Sequence, residues 1–243
     1  MKLIVLGCWG AYPKAGEATS GYLLLTDKHK ILLDCGSGVL SNLFKHIGKG
    51  ELDAVFLSHF HYDHCADLGC LLYASKFALY FQERNKPLPV YTHKNSSFFP
   101  ELTFGEYTKG VEIKHGETID LNGLKISFHH TVHNEYNLAM RFEYQGKILV
   151  YTGDLGPETN LNKFCSGADL LICETSLFEH EQGLFPGHMT TRDAGKLAKD
   201  SGVKKLLITH FPQAGDITRM PFEVKKYYEG TVFAAEMNKV YEV

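Results

Sequence analysis

Short apolar runs, rather than long helical periods, dominate the hydrophobic pattern of this chain. Several runs are continuous, which is typical of strands covered on at least one face. Tyr144–Lys147 (YQGK) separates two of them and predicts a hairpin turn. The runs predict strands at Lys2–Leu6, Gly21–Thr26, Lys30–Asp34, Ala54–Leu57, Leu124–His129, Asn137–Tyr144, Lys147–Tyr151, Asp169–Cys173 and Lys205–Thr209.

Segments with helical periodicity are fewer and lie between bunches of strands. The helix predicted at Thr191–Ser201 is the best marked, because Thr190 or Thr191 can cap it and Gly202 follows its end. No clear βαβ alternation occurs in the first third, which favours an α/β fold of the four-layer αββα sandwich type, with two mixed sheets packed face to face and helices outside. No low-complexity linker divides the chain, so we expect one domain over residues 1–243. The predicted helices are Val39–Ile47, Ala66–Phe81, Thr191–Ser201 and Phe222–Tyr228.

Composition narrows the class of protein without identifying it. The net charge of -3 and pI near 6.5 argue against a broad basic surface for nucleic acid. The N-terminal run is too short for a signal peptide, and no apolar stretch approaches the roughly 18 to 20 residues that span a bilayer. The six cysteines form no CxxC pair, which predicts reduced thiols and a cytoplasmic location.

One polar stretch carries most of the chemistry: His59–His64 (HFHYDH) follows the apolar run Asp53–Ser58. In a strand period its first two histidines project the same way, and the carboxylate and third histidine follow as the chain turns. Imidazole nitrogen and carboxylate oxygen are ligands that zinc, manganese and ferrous iron share. The stretch predicts a loop serving two neighbouring metal positions, with a solvated turn as the alternative. Cys65 follows directly and either packs at a helix start or reaches a bound ion.

Three further candidate ligands stand where the chain leaves an apolar run, a position at which α/β proteins gather their sites. They are His133, Asp154 and His210, and His130 in the same HHTVH run is an alternative to His133. Each alone would be weak evidence, because a lone histidine at a strand end is commonly structural. Together with the motif they give seven candidate ligands: His59, His61, Asp63, His64, His133, Asp154 and His210.

This order of residues resembles the metallo-β-lactamase superfamily pattern HxHxDH…H…D…H, and the resemblance covers nearly the whole chain. Leu32–Gly38 (LLDCGSG) also resembles the strand and turn before that superfamily's first helix. The resemblance implies two divalent metal ions, zinc or alternatively manganese, that share and activate a hydroxide. His59, His61 and His133 would bind one ion, Asp63, His64 and His210 the other, and Asp154 would bridge them.

Two positions indicate which branch of the superfamily the chain resembles. Asp154 stands where penicillin-hydrolysing relatives carry cysteine, so the resemblance does not extend to antibiotic hydrolysis. His61 stands where the oxygen-reducing di-iron relatives carry glutamate. The resemblance therefore favours hydrolysis over redox chemistry.

Gly187–Thr190 (GHMT) resembles the GHST-type motif of ribonuclease Z, the tRNA 3′-end processing enzyme. Ile172–Thr175 (ICET) similarly resembles that family's His-Glu-Ala-Thr segment. By that resemblance His188 would protonate the leaving oxygen, Glu174 would orient His188, and Asp63 would position or deprotonate the attacking water. The alternative for His188 is a helix cap or a solvent-facing side chain.

The long arm with which ribonuclease Z holds the tRNA elbow has no counterpart, because little more than the hairpin Asn137–Tyr151 separates His133 from Asp154. A mildly acidic chain also offers few of the phosphate contacts that supply most nucleic-acid affinity. We therefore expect a phosphodiesterase acting on a small molecule or short oligonucleotide, such as a cyclic nucleotide or an RNA end, rather than on tRNA. No membrane partner is expected, and a homodimer is expected only by the resemblance.

Two other functions remain open. The same metal pair could hydrolyse a carboxylic ester, lactone or thioester, and His188 would then matter little. The chain could also be a non-catalytic metal-dependent binding or sensor protein, against which the complete ligand set argues. The segment Tyr91–Gly110 predicts a loop that is either substrate-facing or a plain surface connection.

Overall fold

The computed structural model describes residues 1–243 and divides into two compact units. One comprises residues 1–113 with 236–242, and the other comprises residues 114–235 with 243. The organisation of residues 1–243 as one domain stays a prediction. None of the helices combines the length and apolar character that crossing a membrane requires.

The first unit is built on a mixed seven-stranded sheet. Its strands are β1 Lys2–Gly7, β2 Gly21–Leu25, β3 Lys30–Leu33, β4 Ala54–Phe56, β5 Leu88–Thr92, β6 Thr108–Glu112 and β14 Val240–Glu242, in the spatial order β14-β1-β2-β3-β4-β5-β6. Pairing is antiparallel from β14 to β3 and parallel from β3 to β6. The helices are α1 Val39–Leu43, α2 Tyr62–Cys65 and α3 Leu68–Tyr80, with a 3-10 helix at Phe99–Leu102. Leu6, Leu23, Leu32, Val55 and Leu57 are among the residues of its buried core.

The second unit repeats this pattern of pairing. Its strands are β7 Thr118–Leu121, β8 Leu124–Thr131, β9 Asn137–Tyr144, β10 Lys147–Tyr151, β11 Leu170–Glu174, β12 Lys205–Thr209 and β13 Thr231–Ala234, in the order β13-β12-β11-β10-β9-β8-β7. Pairing is antiparallel from β7 to β10 and parallel from β10 to β13. The helices are α4 Asn162–Cys165, α5 Thr191–Asp200 and α6 Met220–Val224, with 3-10 helices at Glu179–Glu181 and Ile217–Arg219.

Two local predictions are confirmed in detail. The hairpin between β9 and β10 pairs Tyr144 with Lys147, and its two central residues, Gln145 and Gly146, have φ values of 50° and 75°. Left-handed backbone at both central positions is the I′ geometry that matches the twist of a hairpin. Helix α5 begins after Thr190, whose side chain accepts from the amide of Asp193 in a capping box.

Other predicted element bounds differ from those in the structure. The helix predicted at Ala66–Phe81 is preceded by the separate turn α2, because the Asp67 amide donates to the Cys35 carbonyl instead of to a helical carbonyl. The helices predicted at Val39–Ile47 and Phe222–Tyr228 both end earlier, as α1 and α6. The predicted loop Tyr91–Gly110 overlaps β5 and β6, two parallel strands at one edge of the mixed sheet, and β7, β13 and β14 were not predicted either.

Candidate metal centre

In the first unit the candidate ligands follow a junction between two parallel strands. Asp34 directly follows β3, and Ser58 and His59 lie just beyond β4. Because β3 and β4 run in parallel, their carboxyl ends meet at one edge of the sheet. Asp34 has a φ of 55°, a left-handed conformation that aspartate tolerates better than most residues. The pairing therefore brings a buried carboxylate to the start of the histidine motif.

The Asp34 carboxylate orients two of the imidazoles. Its Oδ1 accepts from the Ser58 amide at 2.7 Å, and its Oδ2 accepts from the Ser58 hydroxyl at 2.8 Å and from His64 Nδ1 at 2.7 Å. Since the Ser58 hydroxyl donates to Asp34, it accepts from His59 Nδ1, which lies 3.0 Å away. Both histidines thus carry their proton on Nδ1, and Nε2 keeps the lone pair that a metal needs.

The donor atoms of the first-unit group (His59, His61, Asp63 and His64) converge in pairs. His59 Nε2 lies 3.0 Å from His61 Nδ1, and His64 Nε2 lies 3.7 Å from Asp63 Oδ2. His59 and His64 are fully buried. Asp63 Oδ2 also accepts from the Ala11 amide at 2.7 Å, which holds the carboxylate in place.

In the second unit the candidate residues stand at the same end of neighbouring strands. Glu174 ends β11, Asp154 follows β10 and His210 follows β12, and these three strands are parallel neighbours. The loop of Asp154 is held by Asn137, whose side-chain amide donates to the Asp154 carbonyl at 2.8 Å. His133 follows β8. Because β8 pairs antiparallel with β9, and β9 pairs antiparallel with β10, strand β8 runs in the same direction as β10.

Glu174 plays the part in the second unit that Asp34 plays in the first. Its Oε1 accepts from His188 Nδ1 at 2.8 Å, and its Oε2 accepts from the Ser176 hydroxyl at 2.7 Å. The Ser176 oxygen in turn accepts from His210 Nδ1 at 2.7 Å. One buried carboxylate therefore orients His188 directly and His210 through a serine hydroxyl, and leaves Nε2 of both rings available.

His133 is oriented by the GHMT segment. Its Nδ1 lies 2.9 Å from the carbonyl oxygen of Gly187, which can only accept, so the proton is on Nδ1. Its Nε2 lies 3.7 Å from Asp154 Oδ2, and His210 Nε2 lies 3.4 Å from the same oxygen. The ligand atoms that Asp154, His188 and His210 offer lie within 4.8 Å of one another.

These spacings fit divalent metal ions. Two ligands of a tetrahedral ion with bonds of 2.0 to 2.1 Å are about 3.3 Å apart. The pairs measured within each unit, 3.0 to 3.7 Å, bracket that value. All donors are imidazole nitrogens or carboxylate oxygens, which suit zinc or manganese.

His130 and Cys65, the two residues whose part in the site the sequence leaves open, both have contacts elsewhere. The His130 ring contacts that of Tyr136, with centroids 4.4 Å apart and the planes tilted by 36°, and burial, with His115 and His129 nearby, lowers the pKa of His130. The Cys65 thiol donates to the Phe60 carbonyl at 3.3 Å.

Sequence reasoning missed the residues that orient the candidate ligands. Asp34 lay inside the LLDCGSG segment without a role, and neither Ser58 nor Ser176 was singled out. Ser58 directly precedes the histidine motif, and Ser176 lies two residues after Glu174. A small hydroxyl at a strand end beside a candidate ligand was the available signal.

Comparison with known proteins places the chain among metal-dependent hydrolases. Residues 29–211 match the family model described as a β-lactamase superfamily domain. The chain is 37% identical over its whole length to the whole of the probable metallo-hydrolase YhfI of Bacillus subtilis. The crystal structure of that protein superposes with a TM-score of 0.96, covering 100% of this chain and 99% of the other. This match confirms the predicted architecture as an α/β sandwich with two mixed seven-stranded sheets.

More distant relatives share the fold. Ribonuclease Z of Archaeoglobus fulgidus is 22% identical, with 97% of this chain and 95% of that protein covered. A diphosphatase of the PhnP family superposes with a TM-score of 0.79 at 18% identity, covering 100% of this chain and 97% of the other.

Proposed function

The chain belongs to the β-lactamase superfamily, and from that premise we propose that this metal-dependent hydrolase cleaves small or short phosphodiesters. Two relatives support this proposal. One is a ribonuclease Z and the other a diphosphatase, and both kinds of enzyme act on phosphoryl esters or anhydrides. The single observation that carries the proposal is the His188–Glu174 pair beside Asp154 and His210.

We assign the metal ligands by superfamily membership and by the spacings within each unit. When bound, two divalent ions would lower the pKa of water and neutralise phosphoryl oxygens. Asp154 is suited to bridging because its Oδ2 faces two histidine nitrogens. In this proposal His59, His61 and His133 would hold one ion, Asp63, His64 and His210 would hold the other, and Asp154 would be shared between them.

His188 is the proposed proton donor to the leaving oxygen. Its Nδ1 proton is engaged by Glu174, so Nε2 is the atom that exchanges a proton with substrate. The side chain is 20% exposed, which allows contact with a substrate, whereas Glu174 is 1% exposed and cannot approach one directly. Glu174 is therefore a positioning residue, and Asp63 is the proposed group that positions or deprotonates the attacking water.

The rate of phosphodiester cleavage depends more on a proton donor such as His188 than the rate of acyl transfer does. The alkoxide that leaves a phosphodiester is a strong base and needs a proton as its bond to phosphorus breaks. Hydrolysis of a carboxylic ester is limited chiefly by formation of the tetrahedral intermediate, in which charge develops on the acyl oxygen and the leaving group is still bonded. A dedicated imidazole held by a buried carboxylate therefore favours phosphodiesters over the ester, lactone or thioester alternative. The complete set of candidate ligands likewise argues against a non-catalytic sensor.

The test compares two phosphodiesters that differ in their leaving group, each assayed with zinc-loaded and with manganese-loaded protein. His188→Ala is expected to lower kcat for a cyclic nucleotide, whose leaving group is an alkoxide, by about 10²- to 10⁴-fold. The loss for bis(4-nitrophenyl) phosphate should be much smaller, because nitrophenolate leaves without protonation. His180→Ala, an exposed histidine, is the matched control.

Two results would contradict the proposal. Equal loss on both phosphodiesters at unchanged metal content would remove His188 from the role of acid. Turnover of 4-nitrophenyl acetate or a lactone without turnover of any phosphodiester would transfer the function to carboxylic esters.

A further inference from the structure

An aromatic pocket adjoins the histidine motif within the first unit. It has a volume of about 410 Å³, in the range of small-molecule sites. Its walls come from the histidine motif, the first half of α3 and the 3-10 helix at Phe99–Leu102. Phe60 and Tyr62, which alternate with His59 and His61 along the chain, both line it. The pocket therefore begins one residue from two proposed ligands.

The pocket walls combine rings with one charge. Phe60 and Phe98 hold their rings at an interplanar angle of 17°, and Tyr73 contacts Phe104 with ring centroids 5.4 Å apart. Tyr62, Tyr73 and Phe98 are 73%, 58% and 50% exposed, an unusual density of uncovered rings. Glu101 is the one charged side chain among the lining residues.

These features define the occupant. Flat aromatic groups stack on such rings, and any nucleobase offers a π face. The Glu101 carboxylate accepts N–H donors and repels phosphate or carboxylate, so the charged end of a ligand is excluded from this pocket. The proposed function requires a phosphoryl group outside this pocket. A nucleotide joins such a group to a flat aromatic base that carries N–H donors.

We propose that this pocket binds the nucleobase of the substrate, stacked on Tyr73 and Phe98 with its amino group donating to Glu101. The proposal rests on the proposed function, since it makes the phosphodiester a nucleotide ester. The base would then supply binding energy that a base-free phosphate ester lacks.

The test measures binding instead of turnover, by titration calorimetry of the zinc-loaded protein. Adenosine 5′-monophosphate is expected to bind about 5- to 150-fold more tightly than ribose 5-phosphate, which is the range for one stacked base. Phe98→Ala and Tyr73→Ala should each reduce that ratio and leave the dissociation constant of ribose 5-phosphate unchanged. Tyr80→Ala, on the same helix but outside the pocket and 75% exposed, should keep the ratio.

Glu101 is tested with a matched nucleotide. Inosine 5′-monophosphate carries a carbonyl oxygen where adenosine carries its amino group, so it should bind several-fold more weakly. Glu101→Gln should shrink this difference, because an amide can present either a donor or an acceptor.

Three outcomes would overturn the proposal. The first is equal affinity for adenosine 5′-monophosphate and ribose 5-phosphate, and the second is a ratio that survives both aromatic substitutions. The third is light scattering in which Phe98→Ala or Tyr73→Ala converts a dimer to monomers, which would make the pocket an interface between copies. Failure of the proposed function is distinguishable, because hydrolysis would then be absent while the binding ratio persisted.

Discussion

Asp34→Asn isolates the effect of one buried carboxylate on metal binding. Asparagine also tolerates left-handed backbone, so the φ of 55° at this position does not penalise the substitution. The carboxylate accepts three hydrogen bonds, two from Ser58 and one from His64. An amide has only one oxygen, and its NH₂ group must face either the Ser58 amide or His64 Nδ1.

Both orientations are unfavourable. With NH₂ toward the Ser58 amide, two buried donors face each other, which costs about 1–3 kcal/mol. With NH₂ toward His64, the ring must move its proton to Nε2, and that nitrogen loses its lone pair for metal. We expect a lower free energy of unfolding of the metal-free protein by about 1–3 kcal/mol, and a zinc affinity lower by about 10- to 100-fold.

Urea unfolding of metal-free protein gives the first quantity, and competition with a chromophoric chelator gives the second. Asp53→Asn is the control, because Asp53 is exposed and accepts from the Lys30 amide at 2.8 Å, which an amide oxygen can also do. An unchanged zinc dissociation constant in Asp34→Asn would refute the argument that Asp34 fixes the tautomer of His64, a candidate ligand.

Three further predictions concern folding and reactivity. Thr190→Ala removes the cap of α5 and should lower the free energy of unfolding by about 1 kcal/mol, measured in urea, whereas Thr190→Ser should not. Burial raises the pKa of Asp169, but hydrogen bonds from Lys204 and the Ile148 amide outweigh it and leave that pKa below its ordinary value. Asp169→Asn should therefore lower the free energy of unfolding at pH 7 by about 1 kcal/mol. Urea unfolding at a series of pH values should show this difference between the two proteins decreasing below about pH 4, as the carboxylate of the wild-type protein is protonated. Thiol titration with a disulfide reagent should label exposed Cys70 first, and a buried thiol that reacts as fast in the native protein would contradict the packing.

Much of the fold could be predicted because each apolar run is long enough to identify a strand. The runs at β8 to β12 have continuous or alternating apolar positions, and the hairpin between β9 and β10 has a glycine in its turn. Strands β6 and β7 were missed because their positions are largely exposed or half-buried, so their apolar pattern is weak. Edge positions in a sheet need less apolar surface, and the sequence signal fades there.

The orienting residues could not be read from the chain in the same way. Ser58 and His59 are adjacent in sequence, but Asp34 reaches them only because β3 and β4 pair in parallel. Ser176 contacts His210, 34 residues further along the chain, and so links it to Glu174 for the equivalent reason, the parallel pairing of β11 and β12. Candidate ligands have a recognisable residue type, whereas a serine acquires its role only from what the register places beside it.

The left-handed backbone of His210, with a φ of 59°, restricts how that position can vary. Glycine, asparagine and aspartate enter this region readily, whereas a β-branched residue would be strained by roughly 1–2 kcal/mol. A variant that removes this candidate ligand is therefore best made as His210→Gly, because glycine adopts this backbone conformation and carries no donor atom. The same restriction limits which residues can replace His210 during evolution. A replacement that keeps a side-chain donor would be asparagine or aspartate, and the oxygen donor of either would favour harder cations.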